Sequence, residues 1–247
     1  ISVLGQLIFA IYVIVFYGKS WLSGHIQNWN IVLPNGYVQG DNIGNLVVGL
    51  HLLLAAIIII GGPVQIVPEF RKHLPILHRW NGRIYISTAI LLSISGLFMV
   101  WIRGSVGGIT QHISISVNAI LILISAAMVL KYAMMRNFID HRIWAIRLFL
   151  FVNGVWYFRV GLFFWLFVNQ GPVGFNPETL QGPFLTILSL SQYTLPLVLF
   201  ELYQNAIKSS KKSLIWTSTV LIFLFTIVIG VGTFAASMSI WIPKMNY

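Results

Sequence analysis

The sequence has no cysteine and few acidic residues, and both absences exclude kinds of chemistry. Without cysteine, the 247-residue chain can form no disulfide, thiolate metal site, iron–sulfur cluster or covalent Cys-x-x-Cys-His haem attachment. Its five Asp and Glu residues form no paired-carboxylate or Ser-His-Asp pattern. Acid–base or nucleophilic catalysis by side chains is therefore not indicated.

Charge is scarce throughout the chain. Lys, Arg, Asp and Glu make up 8% of the residues, whereas hydrophobic residues make up 57%. A soluble globular domain is about a quarter charged, so this composition indicates a protein that resides in a lipid bilayer. The chain begins at Ile1 rather than Met, and we therefore expect further residues upstream.

Seven apolar segments are long enough to cross a membrane, since a span needs about 20 apolar residues at ~1.5 Å each. Backbone polar groups in lipid must be satisfied within the segment, which predicts helices. We expect an all-α integral membrane protein with one transmembrane domain, residues 1–247, and a structured loop over 18–42. The predicted spans are 1–17, 43–67, 82–102, 110–132, 143–168, 180–203 and 213–242.

Most of the positive charge lies in alternate connections between the predicted spans. The positive-inside rule therefore predicts an N-terminus inside and a C-terminus outside, in what we expect to be a bacterial cytoplasmic membrane. The basic surplus is a topology signal, so we expect the lipid bilayer, and no nucleic acid, as a partner. The connections after the second, fourth and sixth spans hold 11 of the 15 basic residues: Arg71, Lys72, Arg79, Arg83, Lys131, Arg136, Arg142, Arg147, Lys208, Lys211 and Lys212.

Four consecutive predicted helices carry one histidine each, at alternating depths. His51 and His112 lie in outer halves, and His78 and His141 lie at inner mouths. Alternate helices of a four-helix bundle are diagonal to one another, so each pair can face across the core. A b-type haem can be held by one imidazole on each side of its ring. We therefore predict two b-type haems, one between His51 and His112 and one between His78 and His141.

The predicted function is transmembrane electron transfer through these haems, as in an oxidoreductase of the cytochrome b type. The second to fifth helices, residues 43–168, would form its four-helix core, with 1–17, 180–203 and 213–242 at the periphery. A quinone or another small molecule would donate electrons. Histidines at helix ends can instead serve as interface anchors. His51, which lies within a span, is harder to explain in that way.

Four arginines are candidates for binding a cofactor. Arg79 and Arg142 adjoin the inner histidines, Arg147 follows about a turn later, and Arg159 lies deep in the fifth span. They could bind haem propionates, a quinone headgroup or another anion, or they could be cations that snorkel to the interface. Glu201 could neutralise Arg147 or Arg142 in a structural ion pair.

Two alternative functions remain open. The first is a cofactor-free anion transporter or receptor that uses Arg159 and the basic inner mouth, because a cation within a span must face protein, water or an anion. The second is an accessory subunit that stabilises a larger membrane complex.

Three blocks of the sequence, "LHRWNGRIY", "DHRIWAIR" and "FRVGL", resemble a family of bacterial membrane proteins, the domain of unknown function 2306. The resemblance covers about residues 45–205 and implies a fold but no activity. The order of His51, Gly61-Gly62, "EFRK" and "LH" also resembles, more distantly, the cytochrome b561 family. That resemblance implies two haems on four histidines of alternate helices. The interval from His51 to His78 is shorter than in that family, and its lysine-rich ascorbate-binding pattern is not matched.

Overall fold

The computed structural model describes residues 1–104, 107–209 and 211–246, and these residues form helices and no named strand. The predicted all-α class is therefore confirmed for the described chain. A 3-10 helix, Ile26–Ile31, follows the first α-helix, and a π-helical segment, Ser237–Trp241, joins the last two. The α-helices are α1 (Ser2–Leu22), α2 (Asn42–Ile66), α3 (Pro68–His73), α4 (Pro75–Trp101), α5 (Ile109–Met134), α6 (Phe138–Val152), α7 (Gly154–Asn169), α8 (Pro183–Ser209), α9 (Lys212–Ala236) and α10 (Ile242–Met245).

Among the described residues, six helical stretches are long and apolar enough to cross a membrane, and a bent pair of helices together makes up to seven. The six are α1, α2, α4, α5, α8 and the continuous stretch Lys212–Met245. The seventh consists of α6 and α7, which meet at an angle of 50°. The prediction of about seven spans is thus confirmed, but the single helix expected over 143–168 is two helices in the structure.

Several helices begin earlier than the apolar segments predicted. α4 begins at Pro75 rather than at 82, with proline in its first turn, where the missing N–H costs nothing. α6 begins at Phe138 rather than at 143, after Asn137 caps it by accepting a hydrogen bond from the Asp140 N–H. The apolar segments correspond to the part of each helix that would face lipid. The helices themselves continue through the charged residues at the interface.

The break between α6 and α7 lies at Asn153, which ends one helix and begins the next. Its Nδ2 donates to the Phe149 carbonyl at 2.8 Å, and its Oδ1 accepts from Nε2 of Gln6 at 2.9 Å. Nδ2 of Asn118 donates to the Phe151 carbonyl at 3.2 Å. Amide side chains thus add hydrogen bonds to the backbone carbonyls at the bend, which makes a break tolerable at membrane depth.

The long helices follow one another round the bundle. α1 packs on α2, α2 on α4, α4 on α5, and α5 on α6 and α8, while α7 packs on α8 and α9, and α9 returns to α1.

We call the end that carries the 11 cations the basic end, and the opposite end the loop end. Toward the basic end α6 also approaches α2, because a Cβ on Gly62 would lie 2.8 Å from the Phe149 ring. α2, α4, α5 and α6 are therefore neighbours in this half.

The loop between α1 and α2 is structured, as predicted. Trp29 is buried, and its Nε1 donates to the Tyr17 carbonyl at 3.1 Å. The Arg103 side chain, only 4% exposed, pairs with Asp41 at 2.9 Å and donates to Asn45 Oδ1 at 2.6 Å. These contacts fasten the loop both to α1 and to the segment that follows α4.

The orientation in the membrane stays a prediction, and the cysteine-free chain makes it simple to test. Glu178 is exposed at the loop end and Lys208 is exposed at the basic end. In intact cells, a membrane-impermeant maleimide should label Glu178→Cys, whereas it should label Lys208→Cys only after the membrane is permeabilised. The opposite pattern of labelling would show that the positive-inside assignment is wrong.

α7 and α9 pack closely at Gly232, where an added Cβ would collide with the Val160 carbonyl. Gly232→Ala should therefore lower the free energy of unfolding by about 1–3 kcal/mol, the usual cost of overpacking. Gly230→Ala is the matched control in the same helix, because its Cβ would meet only Ile1 at 3.9 Å. Thermal denaturation in detergent measures both variants, and equal melting temperatures would contradict the close packing.

Candidate functional site

Two histidines from alternate helices lie at the basic end, each in the first turn of its helix. His78 is in the first turn of α4, within electrostatic range of His141 in the first turn of α6. Nδ1 of His78 is buried and has no hydrogen-bond partner among the described residues. The structure thus places both histidines of one predicted pair at the basic end, and Nδ1 of His78 has no hydrogen-bond partner among the described residues.

The tautomer of neutral His141 follows from its hydrogen bond. Its Nδ1 lies 3.1 Å from the Val129 carbonyl of α5. A carbonyl only accepts, so Nδ1 carries the hydrogen and Nε2 keeps its lone pair. Histidines that ligate metals are usually held in this way, by a bond from the other ring nitrogen to a carbonyl or carboxylate. His141 is therefore oriented as a ligand that would bind through Nε2.

The beginning of α4 is fastened to the end of α2 beside this pair. Nε2 of Gln65 donates to the His78 carbonyl at 3.0 Å, and Nδ2 of Asn81 donates to the Gly61 carbonyl at 2.9 Å. Tyr85, one turn further along α4, is buried, and its hydroxyl has no partner among the described residues. Polar groups thus continue from the histidine pair into the apolar interior.

His51 is held in the same way toward the loop end. Its Nδ1 lies 2.8 Å from Oγ of Ser95 on α4, and that hydroxyl itself donates to the Leu91 carbonyl at 2.8 Å. With the hydroxyl hydrogen assigned to a backbone carbonyl of α4, Ser95 accepts from Nδ1–H of His51. Nε2 of neutral His51 therefore keeps its lone pair.

His112 lies near the loop end of α5. Its ring meets the Trp101 ring edge to face, with 5.9 Å between centroids. Nε1 of Trp101 donates to the Ser116 hydroxyl at 2.8 Å. The two histidines of the predicted outer pair thus contact different residues of α4, His51 contacting Ser95 and His112 contacting Trp101.

Arg159 lies among aromatic residues of α1. Its guanidinium is 5.3 Å from the centre of the Phe9 ring, and its charge acts on Tyr12, Tyr17 and His51. We call these five residues the loop-end cluster. Among the described residues the ion pairs are Arg103–Asp41 and Arg147–Glu201, so Arg159 has no carboxylate partner there.

The other three candidate arginines lie nearer the basic end and differ in their contacts. Arg147 bonds to Glu201 through Nε at 2.8 Å, and its guanidinium lies 4.6 Å from the centre of the Trp144 ring. The ion pair predicted for Glu201 is thus made with Arg147. Arg79 and Arg142 are exposed and make no ion pair with a described residue. Both therefore remain free to meet an anionic group at this end.

Sequence reasoning missed Tyr12, Ser95 and the break at Asn153. Tyr12 shares a helix face with Phe9 and Phe16, so the spacing indicates burial but not the neighbour it meets. The Asn-Gly dipeptide at 153–154 is a turn signal and could have indicated the break.

Within the described ranges, no group of three or more His, Asp or Glu residues could hold a metal ion. A haem needs only two axial side chains, so that finding does not bear on it.

Comparison with known proteins gives one match. The family model described as a predicted membrane protein, DUF2306, matches residues 48–188, which include His51, His78, His112, His141 and Arg159. No curated protein and no solved structure matches the chain. The resemblance to the cytochrome b561 family receives no support from these comparisons. Since the family model covers more than half of the sequence, the chain belongs to the DUF2306 family of membrane proteins.

Proposed function

We propose that this protein transfers electrons across the membrane by means of b-type haem bound within the helix bundle. The observation that supports the proposal most directly is the geometry of His78 and His141. They come from alternate helices, their charges interact, and Nδ1 of His78 and Nε2 of His141 have no hydrogen-bond partner among the described residues. A bound haem would supply a one-electron iron couple, and the protein would supply its ligands and surroundings.

The residues around the pair have definite roles in this proposal. The Val129 carbonyl holds the His141 ring in the tautomer that exposes Nε2. Gln65 and Asn81 hold the first turns of α4 against α2, which keeps His78 in place. Arg79 and Arg142 are the candidates for binding propionates or the headgroup of a quinone donor. Arg147 is less suited to that role because Glu201 already neutralises it.

A second haem toward the loop end is part of the proposal. His51 is its better-supported ligand, because Ser95 fixes the ring and leaves Nε2 open. His112 is the proposed second ligand, and its ring would have to leave the edge of Trp101 to serve. Two haems at different depths would divide the crossing into shorter steps.

The alternative of anion transport has a specific observation in its favour, namely the absence of a carboxylate partner for Arg159 in the described chain. The alternative of an accessory subunit has no such observation. The haem proposal uses more of the described geometry, since it explains the orientation of both His141 and His51.

The haem content tests the proposal directly. Protein expressed with ample haem and purified in detergent should give a reduced-minus-oxidised spectrum of the b type and about two haems per chain, one for each histidine pair. His78→Ala and His141→Ala should remove the same spectral component, because loss of either axial ligand disables one haem. His51→Ala should remove a different component.

His73→Ala is the matched control, because His73 is exposed on α3, close in sequence to His78. It should leave the spectrum unchanged. A colourless wild-type protein would refute the proposal, and His78 and His141 variants that lose different components would refute the assignment of this pair.

A further inference from the structure

Arg159 lies well inside α7, where its side chain is partly buried. It is ten residues before the end of α7 at Asn169, which is about 15 Å along the helix. A guanidinium at such a depth is costly in a membrane unless it has a partner or a polar cavity. Its weak contact with the Val155 carbonyl, at 3.4 Å, and the face of Phe9 do not neutralise the charge.

No Asp or Glu side chain of the described residues is positioned to be that partner. All five acidic residues belong to the described chain, and each lies elsewhere. Asp41 pairs with Arg103, and Glu201 pairs with Arg147. The others lie at the two ends of the bundle: Glu69 on α3, Asp140 in the first turn of α6 and Glu178 in the connection between α7 and α8.

A second donor without an acceptor accompanies Arg159. Tyr12 is 2% exposed, and its hydroxyl lies beside the Tyr17 side chain without a hydrogen bond of standard geometry to a described residue. His51 carries no negative charge, whether its ring is neutral or protonated, so it cannot balance the guanidinium. The loop-end cluster therefore holds a guanidinium and a phenol that share a need for an anionic oxygen.

The surroundings restrict the kind of anion. Phe9 and Phe16 are buried beside Tyr12, the ring centroids of Tyr12 and Phe16 being 5.8 Å apart. Trp241 is buried against Phe9, with 5.1 Å between the ring centroids. Such walls favour a ligand with an apolar body. One guanidinium balances one negative charge, and its planar fork matches a carboxylate. A phosphate dianion would leave excess charge in an apolar interior, which is costly.

We propose that Arg159 and Tyr12 bind the carboxylate of an apolar organic acid. The carboxylate would belong either to a propionate of a haem on His51 or to a free lipid-soluble acid. Arg159 would neutralise the charge and the Tyr12 hydroxyl would donate a hydrogen bond. The proposal does not rest on haem binding by His78 and His141, so either can fail without the other.

Benzoate is a suitable probe, because it joins one carboxylate to an aromatic ring. Equilibrium binding of radiolabelled benzoate would be measured on the full chain in nanodiscs, with and without haem. Arg159→Gln should weaken binding at least tenfold, and Tyr12→Phe should weaken it roughly tenfold, as expected for a hydrogen bond to a charged group. Arg83→Gln, the same change at an exposed residue near the basic end, should bind as the wild type does.

The two sources of the carboxylate give different results. With a free acid, benzoate binds whether or not haem is present, and Arg159→Gln leaves the haem midpoint potential unchanged. With a haem propionate, haem excludes benzoate, and Arg159→Gln lowers the potential of the component that depends on His51, because a nearby positive charge is lost.

The proposal is wrong if Arg159→Gln changes neither benzoate binding nor the haem midpoint potential. If the Arg159 variants do not fold, Tyr12→Phe decides the matter, since it keeps the charge and nearly the whole side chain. Unchanged benzoate affinity and unchanged haem potential in that variant would also overturn the proposal.

Discussion

The membrane interior offers neither hydrogen-bond partners nor counter-ions, and the rest of this structure depends on that constraint. Every backbone group and every charge at that depth must find its match within the protein or in a ligand. The break at Asn153 meets the requirement with amide side chains from α1 and α5. Arg147 meets it with Glu201. Arg159 has no such match in the described chain, which makes it the natural place to look for a bound molecule.

The same constraint explains which parts of the fold and of the site could be predicted from the sequence alone. Apolar length predicts the spans, and strict alternation of direction then predicts that His78 and His141 share one end. Rotation of a helix about its own axis is not contained in hydropathy, so the partners of individual side chains could not be predicted. α1 was expected at the periphery, yet it supplies Phe9 and Tyr12 to the surroundings of Arg159.

The bend at Asn153 and the hydrogen-bonded histidines both place polar groups at defined positions in the bundle. The bend at Asn153 lets a single span contribute α6 to the neighbourhood of α2 and α5, and α7 to that of α8 and α9. The two parts of this bent segment therefore pack against different helices of the bundle. In the same way, His141 and His51 each use one nitrogen to fix the ring and keep the other available. Rigid presentation of a free nitrogen is what a ligand site needs.

The loop that Arg103 fastens has an electrostatic consequence for the residues beneath it. Trp29 is anchored on the Tyr17 carbonyl and packs against the Tyr17 ring, so bulky aromatic groups separate the loop-end cluster from the aqueous side. Mobile ions screen charges only where they can approach them, and a low local dielectric strengthens what remains. The field of Arg159 should therefore act on its neighbours almost independently of the ionic strength outside.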